Sequence, residues 1–183
     1  KIAEEVMKDL PKKAGEKALQ FFLASFIKQG FTDTSFIPWV KRKDDLTHKL
    51  LNQSYALKAS GKIDKADLTE VNISFGEGLN YAAIHNEGGT ITVKVSDKMK
   101  RYFWYLYMKS TGSMQKRKNG ELRQNKANER LSTMASFYKS MALKKVGSRI
   151  RIPKRQYMGE SATFMKQLDT WIASEIDKRF SNI

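Results

Sequence analysis

The sequence predicts an α+β domain in which a small, mainly antiparallel sheet packs against helices, with long N-terminal and C-terminal helices. Apolar residues recur at helical spacing near both ends of the chain. Between those ends lie short β-branched runs, of which Thr90 to Val95 is the clearest strand. The length of 183 residues suits a single domain with a buried core. We expect one domain over 1–183, carrying a basic, partly mobile helical and loop insertion at about 108–147.

The first elements are predicted from apolar spacing and from helix breakers. Apolar residues between 18 and 26 favour a helix that ends at Gly30, and Pro11 should separate a shorter helix from it. The segment 31–45 is typical of a loop. The segment 46–58 suits either a helix or the approach to a strand.

The middle of the chain predicts strands and one short helix. The runs 63–67 and 70–75 suit an antiparallel pair joined by a turn. Residues 81–87 fit a brief helix that Gly88 stops, and the strand 90–95 follows.

The later elements alternate helix and strand. Ser96 is placed to cap a helix, and 109–128 is polar and basic enough to predict a mobile loop. A second helix should follow and extend to Gly147. The alternation of 149–152 indicates a half-buried strand, and 164–176 has the spacing of an amphipathic closing helix.

The net charge of +15 is confined to one interval. Residues 98–159 hold seventeen Lys or Arg against Glu121 and Glu129, so this interval alone carries +15 (17 − 2) and the remainder sums to zero. Such a surface favours an anionic partner, while a solvated basic loop is the alternative. The candidate partner or non-specific DNA contacts are Lys116, Arg117, Lys118, Arg149, Arg151 and Lys154.

An aromatic run extends from Tyr102 to Tyr105. Phe103 falls on a helical stripe with Met99 and Leu106, so we expect it to enter the core. Adjacent aromatic residues cannot all face one core, which favours an interface role for the others, with base stacking as an alternative.

The sequence offers little for catalysis. His48 and His85 lack a spaced second ligand or base, cysteine is absent, and the glycine pairs do not form a phosphate loop. Asp44 and Asp45 sit in a charge cluster typical of solvated surface. We therefore expect a non-enzymatic chain with no catalytic, cofactor-binding or metal site.

No apolar run is long enough to span a membrane, and no secretory leader is visible, so we expect no membrane partner.

Two segments join an apolar element to glycine or proline at a fixed offset. The first has the pattern Tyr-Ala-x-Ile-His followed by Gly-Gly, and the second has Ile-Pro-x-Arg-x-Tyr-x-Gly. Their residues are Tyr81, Ala82, Ile84, His85, Gly88 and Gly89, then Ile152, Pro153, Arg155, Tyr157 and Gly159.

These segments resemble the phage virion morphogenesis family, which includes the Mu-type morphogenesis protein and tail-completion proteins. A further family segment, Ser-Gly-x-Leu-x-x-Ser-Ile, is matched at Ser54, Leu57 and Ser60, whereas Tyr55 and Gly61 replace its Gly and Ile. The departure at Tyr55 bears on the turn geometry there.

The resemblance implies a structural phage or prophage protein that acts in tail completion or head–tail joining at the neck. It also implies a homo-oligomeric ring in the virion, other tail and neck proteins as partners, and assembly in the host bacterial cytoplasm. The alternative function is a basic nucleic-acid-binding module of a mobile element, acting on DNA directly.

The motif residues then have expected roles. Gly88 and Gly89 should let the chain turn into the strand, and Pro153 should end the strand before it. His85 should fix the turn by hydrogen bonding, and Arg155 is placed for a salt bridge or a partner contact. Replacing Gly89 with valine should impair folding or assembly.

Overall fold

The computed structural model describes residues 2–42 and 48–181, and the side chains from residue 8 onward. Within those residues it has six helices and three small antiparallel two-stranded sheets. The prediction of an α+β fold with long terminal helices is confirmed. The strands form three separate pairs rather than one sheet.

The elements follow one another in chain order. They are α1 (Ile2–Lys28), β1 (Gly30–Thr32), β2 (Phe36–Pro38), α2 (Ala56–Ala59), β3 (Lys62–Ala66), β4 (Val71–Ser74), α3 (Ala82–Glu87), β5 (Gly89–Thr92), α4 (Asp97–Gly112), α5 (Lys126–Ala142), β6 (Arg149–Ile152) and α6 (Ala162–Phe180).

The chain divides into two compact units. Unit 1 comprises the described parts of Lys1–Val40, His48–Gly89 and Ile152–Ile183, and unit 2 comprises those of Lys41–Thr47 and Thr90–Arg151. Asp44 and Asp45, predicted to be solvated surface, lie outside the described residues.

In unit 1, α1 packs against α6 and against β1, β3 and β4. It is one helix that contains Pro11, so the predicted break there is wrong. Proline costs one helical hydrogen bond. The helix tolerates this cost because Pro11 itself and Ala14 are buried on the packed side.

The end of α1 also differs in detail from the prediction. Gln29, rather than Gly30, takes the left-handed conformation, with φ of 61°. Gly30 begins β1, where a Cβ would lie 2.5 Å from the Ile37 carbonyl oxygen. Glycine is needed at position 30 because β1 and β2 approach each other closely there. Its predicted role as the residue that ends α1 is therefore wrong.

The predicted loop over 31–45 is wrong where it is described. β1 and β2 pair antiparallel, with Phe31 opposite Ile37. Strands of three residues are too short to show a period of two, which is why the sequence pattern gave no sign of them.

The β3–β4 hairpin confirms the predicted antiparallel pair. Its register runs from Lys62 opposite Ser74 to Ala66 opposite Val71. The Asp67 carboxylate accepts hydrogen bonds from the Thr69 and Glu70 backbone N–H groups at 2.9 and 3.0 Å. Hydrogen bonds from Thr69 and Lys65 lower the pKa of Asp67, which keeps this turn acceptor ionised.

Unit 2 is built on α4 packed against α5. The Ser96 hydroxyl accepts a hydrogen bond from Met99 N at 3.1 Å, which confirms the predicted cap. The Phe103 ring is half-buried, and its centroid lies 6.3 Å from that of the buried Tyr138. Tyr102 and Tyr105 are exposed.

Helices occupy only the two ends of the predicted loop over 109–128, because α4 continues to Gly112 and α5 begins at Lys126. The Asn125 side chain accepts from Asn128 N at 2.8 Å and so starts α5. This helix ends at Ala142 rather than at Gly147.

The remaining predictions concern β5, β6 and α6. β6 alternates exposed and half-buried residues as predicted, and it ends before Pro153. β5 ends at Thr92, short of the predicted Val95. α6 begins where the Ser161 hydroxyl accepts from Phe164 N at 3.0 Å. Across residues 2–42 and 48–181, no helix combines the length and the apolar character that crossing a membrane requires.

Candidate functional site

The three motif segments, which lie far apart in the sequence, meet in one place in unit 1. Leu57 from the first segment, Ala82 from the second and Tyr157 from the third belong to a single buried cluster, which Phe26 and Trp39 complete. We call the contacts among these segments the motif junction. Sequence patterns identified the segments as turns, but they did not indicate that the segments touch.

Tyr157 is the central side chain of the motif junction. It is 2% exposed, and its hydroxyl donates a hydrogen bond to the Ala82 carbonyl at 3.1 Å. Its ring centroid lies 5.2 Å from that of Phe26 and 5.6 Å from that of Phe75. Burial raises the pKa of the Tyr157 hydroxyl, with Glu87 and Tyr81 adding to the shift, so the group stays a neutral donor.

The end of α3 is hydrogen-bonded to the segment that follows Pro153. The Asn86 side-chain oxygen accepts from Tyr157 N at 3.0 Å and from Met158 N at 3.2 Å. The His85 carbonyl accepts from Arg155 N at 2.7 Å. Asn86 therefore fixes the third segment against the second. The sequence interpretation did not select it, although an amide side chain two residues before Gly-Gly suits a residue that binds backbone near a turn.

Trp39 also holds the third segment. Its indole Nε1 donates to the Gln156 carbonyl at 2.7 Å. Trp39 is buried, and its ring meets Phe26 edge to face at 5.8 Å. The sequence interpretation placed Trp39 in a loop, since nothing local marks a contact that spans 117 residues.

Gly88 is required by a close approach within the motif junction. It has φ of 76° and ψ of 173°, a combination that residues with a side chain rarely adopt. A Cβ at this position would also lie 2.9 Å from Lys154 N. At Gly89 a Cβ would meet only the Ile84 side chain, at 3.3 Å. Gly89 also has a φ that side chains rarely adopt, 158°, so both positions favour glycine, and Gly88 adds the close approach to the backbone of Lys154.

His85 and Arg155 are both turned inward. The His85 backbone carbonyl bonds to Arg155 N of the third segment rather than within the turn, and the His85 Nδ1 is buried without a hydrogen-bond partner. Desolvation lowers the pKa of His85, and the positive charge of Arg155 lowers it further. Arg155 is 8% exposed, and its Nε donates to the Val40 carbonyl at 3.3 Å. This burial places Arg155 in the core of unit 1 rather than at a surface contact.

The residues at the ends of the second and third segments lie beside the motif junction. Tyr81 is partly exposed and its ring lies 5.9 Å from that of His85. Gly159 has φ of 135°, and a Cβ there would lie 2.9 Å from the Gln156 side-chain nitrogen. Ile152 and Pro153 are half-buried at the end of β6.

The first segment enters the motif junction through α2. Leu57 is 1% exposed, and the Ser60 hydroxyl accepts from Gly76 N at 2.7 Å. Tyr55, which stands where the resembled family has glycine, adopts φ of 56° and is exposed. The turn thus keeps a glycine-like conformation with a tyrosine in it.

The six candidate basic residues lie in three places. Lys116, Arg117 and Lys118 come together at one turn between α4 and α5. Arg149 and Arg151 are the exposed positions of β6, and Lys154 is an exposed residue of unit 1. Among the described residues, no group of three or more His, Asp or Glu side chains is arranged to hold a metal ion.

The geometry defines an α+β protein whose sequence motifs serve a buried junction of backbone and aromatic contacts. No protein-family model, curated protein or solved structure matches this chain.

Proposed function

We propose that this chain is a structural protein of phage or prophage virion morphogenesis, acting in tail completion or in head–tail joining at the neck. In this proposal the working state is a homo-oligomeric ring in the virion, in contact with other tail and neck proteins. The chain would be assembled in the host bacterial cytoplasm.

The observation that carries the proposal is the motif junction. The three segments that resemble the morphogenesis family are brought into one cluster, through Leu57, Ala82 and Tyr157. Apolar residues of one core often touch, but the second and third segments are also joined by specific hydrogen bonds, from Arg155 N to the His85 carbonyl and from Tyr157 N to the Asn86 side-chain oxygen. Their contact supports treating them as one inherited packing solution, and this strengthens the resemblance from which the function is taken.

The motif residues are engaged in packing and in bonds to the backbone, as fold-determining residues are. The Tyr157 hydroxyl and the His85 carbonyl each bind a backbone group, as does the side-chain oxygen of Asn86, which lies between two motif residues. This use of polar groups supports a role for the motifs in building a subunit.

Unit 1 also exposes apolar side chains that a neighbouring subunit could cover. All three residues of β2 are exposed, with Phe36 and Ile37 accessible at 46% and 58%. Ile27 and Val40 are each 58% exposed as well. Large exposed apolar groups are typical of subunit interfaces, which supports an oligomeric working state.

Removing the gene from the genome that encodes it tests the proposal. We expect filled heads and tails to accumulate separately in electron micrographs of lysates, and the intact gene supplied in trans should restore joined particles. Joined, infectious particles at normal yield without the chain would overturn the proposal.

A further inference from the structure

The turn between α4 and α5 is an ordered hairpin. Lys116 and Leu122 form an antiparallel bridge, and Arg123 N donates to the Gln115 carbonyl at 2.9 Å. At the tip, Arg117 N donates to the Glu121 carbonyl at 2.7 Å. We call residues 115–123 the basic finger.

The base of the basic finger is held by a buried side chain of α5. Asn128 is 6% exposed, and its Oδ1 accepts from Gln115 N at 2.8 Å. Its Nδ2 donates to the carbonyls of Gln115 and Arg123, at 2.8 and 2.7 Å. One side chain therefore binds both strands of the finger, so its conformation is set before any ligand arrives.

This held hairpin presents a concentration of positive charge. Its side chains Lys116, Arg117, Lys118 and Arg123 are exposed, and Glu121 is its one acidic residue, which gives +3 (4 − 1). Glu121 lies 3.7 Å from Arg117, but both side chains are more than half exposed. An exposed ion pair of this kind is weak, so it leaves Arg117 available to a stronger anion.

The rest of unit 2 has the same sign. Residues 90–151 contain sixteen Lys or Arg against Asp97, Glu121 and Glu129, a net charge of +13 (16 − 3). Charge of one sign over a whole surface draws a polyanion toward it and adds to local contacts. The charge complement of the basic finger is therefore an extended polyanion rather than one small ion.

We propose that the basic finger binds the phosphate backbone of duplex nucleic acid without regard to sequence. A two-stranded ribbon fits the major groove of B-DNA, which is about 12 Å wide. The lysine and arginine side chains along its two strands would then reach the phosphates on either side of the groove, and such contacts carry no base information. An anionic membrane also attracts clustered cations, but for insertion into a bilayer the finger offers one large apolar side chain, Leu122.

This inference stands apart from the assembly role, since it rests only on the geometry and charge of unit 2. Such a site suits a protein that contacts DNA transiently during assembly. It equally suits a protein that acts on DNA directly.

Binding of the full chain to a labelled duplex of about 20 base pairs, measured across salt concentrations, tests the proposal. The variant Lys116→Gln/Arg117→Gln/Lys118→Gln removes three exposed cations and none of the hydrogen bonds that hold the finger. Each lost phosphate contact lowers the slope of log affinity against log salt by about 0.9, so we expect a decrease of about 2.7. Affinity at about 0.1 M salt should fall on the order of 10²-fold.

The matched control removes the same charge elsewhere in unit 2. Lys98, Lys100 and Arg101 are exposed within the first five residues of α4. Lys100 lies about 18 Å along the helix from its last residue, at a rise of about 1.5 Å per residue. Replacing all three with glutamine should lower the slope by less than half as much. Equal losses from the two triple variants would show diffuse attraction and would overturn the proposal.

A third variant separates preorganisation from charge. Asn128→Ala keeps every cation but removes the bonds at the base of the finger, so we expect affinity to fall roughly tenfold with little change in the salt slope. Circular dichroism must first show that helix content is retained; if it is not, the glutamine variants carry the test.

Vesicles that contain phosphatidylserine supply the competing partner. Binding to them that depends on the basic finger as strongly as duplex binding does would overturn the assignment to nucleic acid. Duplex binding that depends on the finger, with weak or finger-independent vesicle binding, would support it.

Discussion

The motif junction of unit 1 and the basic finger of unit 2 are each held by an asparagine side chain, but the segments that the two side chains hold have different roles. In each, one asparagine side chain binds the backbone of a segment elsewhere in the chain. Asn86 bonds to residues 71 and 72 positions away, whereas Asn128 bonds to residues 13 and 5 positions away. The first closes a core around Tyr157, and the second holds exposed cations at a tip.

This difference separates residues whose loss should lower stability from residues whose loss should weaken binding. In the motif junction the held segment delivers an aromatic ring to the interior, so its loss should appear as lost stability. In the basic finger the held segment delivers charge to solvent, so loss of its cations should appear in binding rather than folding.

The largest expected effect breaks the motif junction at Gly88. Gly88→Ala would bring a Cβ to 2.9 Å from Lys154 N in a conformation that favours glycine. We expect a loss of about 3 kcal/mol in the free energy of unfolding, measured by chemical denaturation.

Gly78→Ala is the matched control for Gly88. Gly78 has a similar φ of 72°, but a Cβ there would meet nothing within 4 Å. It should cost only about 1 kcal/mol, for backbone strain alone. Equal costs at the two glycines would contradict the close approach to Lys154.

The next effect sharpens the comparison between the two asparagines. Asn86 uses its oxygen as an acceptor, so Asn86→Asp keeps both bonds and should change stability by no more than about 0.5 kcal/mol. Asn128 also donates two bonds from its nitrogen, so Asn128→Asp loses them and should cost about 2 kcal/mol.

Thermal unfolding of the two aspartate variants, beside the unmodified chain, provides the measurement. If Asn86→Asp lowers stability and Asn128→Asp does not, the hydrogen-bond roles assigned to the two side chains would be wrong.

A smaller effect concerns the turn before α2. Tyr55 has φ of 56° and an exposed side chain, so Tyr55→Gly relieves strain while adding some entropy to the unfolded chain. We expect a net gain of about 0.5 kcal/mol. Tyr55→Ala, which removes the ring but keeps the strain, should show no gain; a gain from alanine equal to that from glycine would refute the strain.

The last effect is confined to acidic pH. Because desolvation and Arg155 lower the pKa of His85 below 6.5, the unfolded chain binds a proton there before the folded chain does. The free energy of unfolding should therefore fall as pH drops below about 6.5, and this part of the fall should end below the folded pKa.

The variant His85→Gln should remove that contribution and leave stability near neutral pH less affected. Urea unfolding of both chains at about pH 7.5 and pH 5.5 measures the difference. An identical pH dependence in the two chains would exclude His85 as its source.

The local elements could be predicted because their signals lie within a few residues. The Ser96 cap, the stop at Gly88 and the alternation of β6 are all of this kind. The motif junction could not be, since the bond from Tyr157 to Ala82 spans 75 residues and depends on packing. The left-handed residues Gln29, Leu51 and Tyr55 also escaped prediction, because their side chains disfavour that conformation and only the surrounding fold imposes it.

The ordered conformation of the basic finger could not be predicted from local sequence either. Its charge was visible in the sequence and drew the expectation of a mobile loop. Its order depends on Asn128, a residue whose polar side chain predicts exposure, but which is buried with its bonding groups satisfied.

The assembly role is the central claim, and complementation in extracts tests it most directly. Purified chain would be added to a lysate from cells that lack it but contain filled heads and tails. We predict that infectious particles appear in proportion to the added protein. Equal numbers of infectious particles with and without the added chain would contradict the account.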